Sequence, residues 1–316
     1  MTEIVVAPAY GGPEVLRLAE VEVPPPGPGE VLLEVRAAGV NPVDYKAYSG
    51  LMGSDIARLP LRLGLEASGL VRAVGSDAEG PAGPIAVGDE VIAYRISGAY
   101  AGEVVVSATA LVPRPNALGW EAAAGLMLTG ATAVHTLTAT GVGAGDTVLI
   151  HAASGGVGLM GVQIAIDLGA RVIGTAGESS HEYLRQLGAV PVTYGEGLAD
   201  RVRVLAPEGI DVAIDNIGTD EAIDVSLELV SDRSRIATIA APGRGFEAGI
   251  KVLGGSPGAD PGAEVRSKAR LELVRLVNEG KLEVHVDRTY PLASAAAAHR
   301  YVATGHAHGK VVLVVN

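Results

Sequence analysis

A glycine-rich segment carries the clearest chemical signal in this sequence. An apolar run at residues 147–151 leads directly into Ala153-x-Gly155-x-x-Gly158, and a helical pattern follows. Glycine at 155 lets backbone amides approach a pyrophosphate, and glycine at 158 lets the helix pack closely on the strand, with the phosphate at the helix N-terminus. The segment therefore predicts a dinucleotide site formed by Ser154, Gly155, Gly156, Val157 and Gly158. A glycine-rich turn of some other α/β fold is the alternative.

The next strand, residues 171–174, indicates which dinucleotide binds. Enzymes that use NAD place Asp or Glu near the end of that strand, where the carboxylate holds the ribose 2′-hydroxyl. No carboxylate follows here until Glu178, so a 2′-phosphate is permitted and we expect NADPH rather than NADH. Candidate contacts to that end of the cofactor are Thr175, Ser179, Ser180 and His181. For one of the two serines, N-capping of the helix that begins at residue 182 is an alternative.

Two kinds of structure must position these residues. Residues 1–110 contain short β-rich runs separated by Pro and Gly, whereas strand and helix patterns alternate through the middle of the chain. Alternation of that kind implies a parallel sheet with helices on both faces. We therefore predict an α/β protein in which a Rossmann dinucleotide-binding domain, residues 119–258, is inserted into a β-rich catalytic domain. The catalytic domain then consists of residues 1–118 and a return segment, residues 259–316.

Composition excludes several classes of function. The 316 residues carry a formal net charge of −12 and only 3% aromatic residues, so we expect neither nucleic acid nor an anionic membrane as a partner. No signal-peptide pattern and no apolar run long enough to span a bilayer are present, which favours a soluble protein. The absence of Cys excludes disulfides, thiol nucleophiles and thiolate-bound metals, and it is compatible with a cytoplasmic location.

Further motifs occur in a fixed order along the chain. They are Asn41-Pro-Val-Asp-Tyr-Lys46, Gly64-Leu-Glu-Ala-Ser-Gly69, Gly88-Asp-Glu-Val91, Leu128-Thr-Gly-Ala-Thr132, the segment from His151 to Gly158, and Asp215-Asn-Ile-Gly218. With them, nearly the whole chain resembles the zinc-independent quinone oxidoreductase branch of the medium-chain dehydrogenase/reductase superfamily. The resemblance implies that the β-rich domain is GroES-like.

The same resemblance bears on metal chemistry. In the zinc alcohol dehydrogenases of this superfamily, Cys stands in place of Asn41 and His in place of Leu65. We therefore expect no metal, and His299, His306 and His308 do not have the spacing of a zinc set. Without a Lewis acid, the chemistry expected is hydride transfer from NADPH to a quinone or an α,β-unsaturated carbonyl, whose developing charge hydrogen bonds can stabilise.

The resemblance also implies roles for single residues. Asn41 and Tyr45 are expected beside the nicotinamide and the substrate, as donors to a substrate oxygen, although Asn41-Pro42 is also a turn signal and Tyr45 could simply wall the pocket. Further cofactor contacts are expected from Thr129, Tyr194, Asn216, Ala240 and Lys310. Lys310 is placed near the adenosine end, with a solvated charge before a strand as the alternative. A Tyr proton donor of related enoyl-thioester reductases corresponds here to Met52, so the proton donor is open and solvent could serve.

Two classes of function remain open on the sequence. The first is an NADPH-dependent reductase, either a broad quinone and enone reductase or a dedicated biosynthetic C=C reductase. The second is a dinucleotide-binding sensor or scaffold protein with little turnover.

Assembly can also be predicted. Residues 250–254 are expected to form the last strand of the Rossmann sheet, and an exposed edge must be paired or covered. The resemblance implies pairing with a second copy across a twofold axis in a homodimer, while a helix starting at Ala263 is the alternative cover.

Overall fold

The computed structural model describes residues 1–315, and these residues divide into two compact units. The first unit comprises residues 1–128, 270–279 and 284–315, and the second comprises residues 129–269 and 280–283. The domain limits predicted at residues 118 and 258 stay a prediction. None of the helices within residues 1–315 is long and apolar enough to cross a membrane.

Eighteen strands lie within the described residues. In chain order they are β1 Thr2–Ala7, β2 Arg17–Val21, β3 Glu30–Val40, β4 Leu61–Arg62, β5 Glu66–Val74, β6 Glu79–Gly80, β7 Gly83–Pro84, β8 Glu90–Tyr94, β9 Glu103–Ser107, β10 Leu111–Pro113, β11 Thr147–His151, β12 Arg171–Thr175, β13 Val190–Val192, β14 Val212–Asp215, β15 Ile236–Thr238, β16 Lys251–Val252, β17 Val286–Pro291 and β18 Lys310–Val314.

Ten α-helices connect or follow these strands in the same part of the chain. They are α1 Pro42–Tyr48, α2 Trp120–Ala123, α3 Met127–Thr140, α4 Gly156–Asp167, α5 His181–Gln186, α6 Leu198–Leu205, α7 Asp220–Leu229, α8 Pro242–Ala248, α9 Ala263–Asn278 and α10 Ala295–Ala303.

The first unit is built around a mostly antiparallel seven-stranded sheet. Its order is β10-β8-β5-β3-β18-β17, with β9 also paired to β3. Strand β3 alternates buried and half-buried residues along its first half and is buried throughout its end, as expected of a strand that enters the core. Strand β18 pairs with that buried end, so that Val311 lies opposite Val40. The last strand of the chain is thereby placed beside the start of α1.

The second unit contains a six-stranded parallel sheet with the order β13-β12-β11-β14-β15-β16. Its central strands are short apolar runs, as expected of strands covered on both faces. Leu149, Ile173, Ala213 and Ile236, one from each of four adjacent strands, are fully buried in one hydrophobic cluster. This strand order is that of a Rossmann dinucleotide-binding fold, which confirms the predicted α/β class.

The edge of this sheet differs from the prediction in its extent. Strand β16 is the last strand, as expected, but it spans only Lys251–Val252. Beyond it the chain folds back, so that the Asp260 N–H donates to the Val252 carbonyl at 2.9 Å and the Gly254 N–H donates to the Asp260 carbonyl at 2.8 Å. A loop residue, rather than the helix from Ala263, therefore covers part of the edge.

Candidate active site and dinucleotide site

The second unit gathers most of the predicted cofactor residues at one edge of its sheet. Carboxyl ends of parallel strands lie at the same edge, which is where open α/β sheets bind ligands. The predicted residues that follow strand ends there are Ser154 to Gly158 after β11, Thr175 and Ser179 to His181 at and after β12, Tyr194 after β13, Asn216 after β14 and Ala240 after β15. Thr129 lies in α3 of the same unit and is buried.

The turn between β11 and α4 is held in an unusual backbone conformation. Ala152 has φ 52°, in the left-handed region that residues other than glycine rarely adopt. Two hydrogen bonds to the neighbouring strand β12 hold the turn in this conformation. The Ala152 N–H donates to the Thr175 hydroxyl at 3.1 Å, and the Ala153 N–H donates to the Thr175 carbonyl at 2.9 Å. Thr175, expected as a cofactor contact, therefore supports the turn.

The two glycines of the turn serve different purposes. A Cβ atom built on Gly158 would lie 2.2 Å from the Ala152 carbonyl oxygen, so this position packs the helix onto the strand. A Cβ atom on Gly155 would lie 3.4 Å from the same oxygen, an ordinary contact. Fold alone therefore requires glycine at 158, whereas the approach of a ligand would explain glycine at 155.

A buried carboxylate that sequence reasoning did not single out organises the neighbouring loops. Asp215 is 0% exposed and accepts hydrogen bonds from the backbone N–H groups of Ile217 at 3.0 Å and Gly218 at 2.8 Å. Its other oxygen accepts the Thr238 hydroxyl at 2.6 Å, and that hydroxyl in turn accepts the Ala240 N–H at 3.1 Å. Asp215 thus fixes the loops that present Asn216 and Ala240; its place at the end of an apolar strand was the signal.

Asn216 carries an unsatisfied polar atom. Its Nδ2 donates to the His151 carbonyl at 3.1 Å, while its Oδ1 is buried and has no hydrogen-bond partner among residues 1–315. A buried acceptor without a donor costs roughly 1–3 kcal/mol. A ligand hydroxyl at this edge would remove that cost, and a dinucleotide offers such hydroxyls on its riboses. The residues present therefore fit a dinucleotide.

The residues after β12 separate into exposed and buried positions. Ser179 is exposed, whereas Ser180 is 4% exposed. Ser180 occupies the N-cap position of α5 but its side chain makes no capping bond, so the capping alternative is not supported for it. His181 lies within 3.3 Å of the Ala176 carbonyl. Tyr194 is 58% exposed, which leaves its ring accessible to a ligand.

The first unit contains a buried ion pair that includes two of the predicted site residues. Lys310 is 2% exposed, and its Nζ donates to Glu66 Oε1 at 2.9 Å and to Asn41 Oδ1 at 2.5 Å. The other oxygen of Glu66 accepts the Leu128 N–H at 2.7 Å. The interpretation of Lys310 as a solvated charge is wrong, because β18 brings it into the core. Its ammonium group is engaged inside this unit, so we do not retain the adenosine assignment either.

Asn41 is also engaged within the protein. Its Nδ2 donates to Glu66 Oε1 at 3.0 Å and to the Gly39 carbonyl at 3.3 Å, and the residue is 1% exposed. With both amide hydrogens occupied, a hydrogen bond from Asn41 to a substrate oxygen is not supported. The turn interpretation is supported instead, because the Asn41 N–H donates to Asp44 Oδ2 at 2.9 Å at the start of α1.

These residues do not fit a catalytic zinc. Zinc requires three or four deprotonated ligands around an open position. Within the described residues no group of three or more His, Asp or Glu side chains lies together as potential ligands. The Asn41 oxygen, which stands where related alcohol dehydrogenases carry a Cys, already accepts an ammonium group that would repel a second cation.

A chain of buried hydrogen bonds starts from the Asp44 carboxylate. The Tyr100 hydroxyl donates to Asp44 Oδ2 at 3.0 Å and lies 3.2 Å from His299 Nε2, while His299 Nδ1 lies 2.9 Å from the Tyr48 hydroxyl. The four residues are at most 3% exposed. Sequence reasoning missed the two tyrosines, and it considered His299 only to reject it as a zinc ligand. One signal was available, because the chain has nine Tyr and a single Phe, and rings placed fully inside a core keep a hydroxyl only at a cost unless it is bonded.

Burial strongly shifts the pKa values of the four residues that these hydrogen bonds connect. Desolvation raises the pKa of the Asp44 carboxyl to about 7. This effect outweighs the Asn41 N–H, the Tyr100 hydroxyl and the Lys310 charge, each of which lowers that pKa. Desolvation also lowers the pKa of the His299 imidazole to about 4 and raises the pKa values of Tyr48 and Tyr100 above their ordinary range. The imidazole and both phenols are therefore neutral near pH 7.

Tyr45 differs from its buried neighbours. It is half-buried against the core of the first unit, and no hydrogen bond reaches its hydroxyl from the residues described. Of the two residues predicted to act on substrate, Tyr45 alone keeps a polar group that the protein does not already occupy.

Comparisons with known proteins agree with this architecture. Residues 27–116 match the family described as the alcohol dehydrogenase GroES-like domain, and residues 187–313 match the family described as zinc-binding dehydrogenase. A quinone oxidoreductase of Pseudomonas aeruginosa is 35% identical, with 97% of each chain covered. A 2-haloacrylate reductase of a Burkholderia species is also 35% identical, with 96% of each chain covered.

Solved structures show the same relationship. A structure described as an NAD-dependent alcohol dehydrogenase superposes with a TM-score of 0.87 at 32% identity, covering 99% of this chain and 100% of the other. The Escherichia coli quinone oxidoreductase in complex with NADPH superposes with a TM-score of 0.86 at 29% identity and the same coverage. The fold, the ordered motifs and full-length relatives at this identity lead to one conclusion: the chain belongs to the quinone oxidoreductase branch of the medium-chain dehydrogenase/reductase superfamily.

Proposed function

We propose that this protein is an NADPH-dependent oxidoreductase that reduces quinones or α,β-unsaturated carbonyl compounds without zinc. The observation that carries the proposal is the prepared edge of the parallel sheet. It combines a glycine turn whose Gly155 is not required by packing with a buried, unpartnered Asn216 oxygen. Family membership supports the reaction class, since relatives at 35% identity are described as quinone and 2-haloacrylate reductases.

NADPH, when bound, supplies a hydride and so carries the difficult chemistry. The chain contributes binding and orientation. The turn at residues 154–158 presents backbone N–H groups at the N-terminus of α4, where negative phosphate charge is favoured. Asn216 offers its oxygen to a ribose hydroxyl, and Ser179 and Tyr194 are the accessible side chains at the adenosine end. Thr129 and Ala240 stay proposed contacts near the nicotinamide.

Tyr45 is the proposed contact to the acceptor. Addition of hydride to a quinone or an enone places negative charge on an oxygen, and a phenol can donate a hydrogen bond to that oxygen as the charge develops. Asn41, Glu66 and Lys310 then act as a buried support for the start of α1. The proton that completes the reduction comes from Tyr45 or from water.

The experiment that tests this proposal measures oxidation of NADPH by absorbance with a panel of quinones, enals, haloacrylates and enoyl thioesters. Turnover with at least one class is expected, and the class with the highest kcat/KM identifies the acceptor chemistry. Tight binding of NADPH without turnover on any acceptor would instead favour a sensor or scaffold protein. Absence of binding would overturn the dinucleotide site itself.

Two further proposals concern the setting of this activity. We propose a homodimer paired through residues 250–254, although Asp260 of the same chain already covers part of that edge. We also propose a cytoplasmic location, which the absence of Cys allows.

A further inference from the structure

Helix α1 needs help from the rest of the protein to hold its position. It has seven residues, Pro42–Tyr48, and isolated helices of that length are not stable in water. Tertiary contacts must therefore fix both its axial position and its rotation. Hydrophobic packing alone tolerates small rotations, whereas hydrogen bonds are directional and do not.

The buried chain of hydrogen bonds supplies an anchor at each end of this helix. Asp44, in the first turn, is held by the Tyr100 hydroxyl at 3.0 Å, and Tyr48, in the last turn, is held by His299 at 2.9 Å. Asp44 and Tyr48 are four residues apart, so they lie on the same face of the helix. Tyr45 follows Asp44 directly and lies on the side of the helix next to that anchored face.

We propose that Tyr100 and His299 are positioning residues for Tyr45. They act through Asp44 and Tyr48, whose side chains fix helix α1, and the inference rests on the proposed function, in which Tyr45 contacts the acceptor. Neither Tyr100 nor His299 is itself a catalytic residue, since both are fully buried.

The number of available hydrogens fixes which group donates and which accepts in each bond between Tyr48 and Asp44. Tyr100 has one hydroxyl hydrogen and donates it to Asp44, so its oxygen accepts from Nε2–H of His299. A neutral imidazole then has a bare Nδ1, which accepts the Tyr48 hydroxyl. Three hydrogens serve three bonds, and all point toward the Asp44 carboxylate.

Protonation at either end disturbs that arrangement. A proton on Asp44, taken by Oδ1, leaves Oδ2 as a neutral and therefore weaker acceptor of the bonds from Tyr100 and Asn41. A proton on His299 turns the acceptor of Tyr48 into a second donor. The charges facing Asp44 are Lys310 and Glu66, and those facing Tyr48 are Asp44, Glu14 and Arg300. The bonds that anchor α1 are therefore strongest with Asp44 ionised and His299 neutral.

The test compares Tyr100→Phe and His299→Gln with Tyr301→Phe. Tyr301 is the matched control, because it lies on the same helix as His299 but takes no part in the hydrogen bonds that lead to Asp44. Its hydroxyl donates to Asp287 at 2.6 Å. We expect kcat to fall about tenfold in the first two variants, with KM for NADPH unchanged within about twofold, and no change in the control; tenfold corresponds to about 1.4 kcal/mol.

The pH dependence of kcat separates positioning from mere stability. Wild type is expected to show a limb near pH 7, with kcat rising as Asp44 ionises. Tyr100→Phe removes a donor to the carboxylate, so the limb moves to higher pH, while Asp44→Asn abolishes it. The inference would be overturned if the control variant lost as much kcat as the other two. It would also be overturned if the pH dependence of kcat stayed unchanged while only the melting temperature fell. Should one of the two variants fail to fold, the other still tests the inference, because Tyr100→Phe removes the bond to Asp44 and His299→Gln removes the imidazole bonded to Tyr48.

A readout that needs no turnover keeps this inference apart from the proposed function. Nitrogen-15 spectra of the histidines, assigned with His299→Gln, should show His299 as the Nε2–H tautomer at neutral pH. The ring signal of Tyr45 should shift in Tyr100→Phe and not in Tyr301→Phe. An Nδ1–H tautomer or an unmoved Tyr45 signal would overturn the inference even in an active enzyme. A wild type that turns over no acceptor would contradict the proposed function alone.

Discussion

At the residue scale, the site depends on buried polar groups, each of which is bonded to specific partners. Lys310 and Glu66 form an ion pair to which Asn41 is hydrogen-bonded, and Asp44 accepts two donors within the first unit. Breaking such a pair by removing one partner costs about 3–5 kcal/mol, because it leaves the other charge buried and alone. These residues are therefore sensitive positions even though none of them meets the acceptor.

The opposed pKa shifts of Asp44 and His299 predict how stability changes with pH. The pKa of His299 is about 4 when folded against 6.5 ordinarily, so it contributes stability that is lost as pH falls from about 6.5 to 4. The pKa of Asp44 is about 7 when folded against 3.8, so it contributes stability that is lost as pH rises from about 4 to 7. The two contributions offset each other in the wild type.

His299→Gln removes one of the two. We expect its free energy of unfolding to decrease from pH 4 to 7 relative to wild type, measured by urea denaturation at several pH values. His306→Gln, at an exposed position, is the control and should follow the wild-type curve. Parallel curves for wild type and His299→Gln would contradict the neutral, buried imidazole.

Cofactor choice is also decided at single residues. Thr175, the last residue of β12, holds the glycine turn, and no carboxylate stands there to bind a ribose 2′-hydroxyl. Calorimetric titration should therefore give a lower Kd for NADPH than for NADH. Ser179→Ala should reduce the difference between the two Kd values. Equal affinities of the wild type for NADPH and NADH would contradict the prediction drawn from the missing carboxylate at the end of β12.

At the element scale, β11 and α4 form the part of the molecule that the sequence describes most completely. The strand is an apolar run, the helix begins at Gly156, and the turn between them is tied to β12 by two backbone donors. Because packing and binding place different demands on the two glycines of this turn, the same substitution should have different effects at each.

Gly155→Val is expected to weaken NADPH binding by more than about 100-fold, since it blocks hydrogen bonds to phosphate that contribute about 1.5–3 kcal/mol each. The fold should remain, because a Cβ at 155 meets only an ordinary contact. Gly158→Val should instead destabilise the protein by roughly 1–3 kcal/mol or more through overpacking. Calorimetry and thermal melting measure the two effects, and an unfolded Gly155→Val variant would refute the distinction.

At the scale of the whole molecule, both ends of the chain build the first unit. Strand β18 pairs with β3, and this pairing brings Lys310 to Glu66, 244 positions earlier in the sequence. The second unit ends its sheet at β16, which is the edge through which we propose that two copies pair.

Assembly can be tested with a single introduced thiol, because the chain has no Cys. A Cβ at Gly255 meets nothing within 4 Å, and the same holds at Gly143, which precedes β11. A twofold pairing centred on residue 252 places the two copies of residue 255 about 20 Å apart, so a bis-maleimide of that length should link Gly255→Cys into a dimer and leave Gly143→Cys unlinked. Light scattering of the wild type should give twice the chain mass. A monomer at micromolar concentration, or equal cross-linking of both variants, would exclude this edge.

Metal content is the other measurement made on the whole protein. The proposed reaction uses no zinc, and Lys310 already occupies the Asn41 oxygen. Activity should therefore survive chelation and dialysis unchanged. Stoichiometric zinc by elemental analysis, with activity lost on its removal and restored on its return, would contradict the proposal.

The sequence by itself determined what is local. The glycine turn and the alternation of strand and helix follow from spacing, because they depend on backbone geometry within a few residues. The exclusion of thiol chemistry follows from the absence of Cys. On these grounds the α/β fold class with its Rossmann domain and the glycine turn of the dinucleotide site could be predicted.

Only the tertiary structure decided the partners of the polar groups. Lys310 was placed with the adenosine end or in solvent, and instead lies beside Asn41 and Glu66; Tyr100 and His299 were not connected at all. These contacts join residues 199 to 269 positions apart. The pairing of strands brings them together, and no periodicity in the sequence reports which buried donor meets which acceptor, because the same Tyr or Lys would satisfy many local patterns.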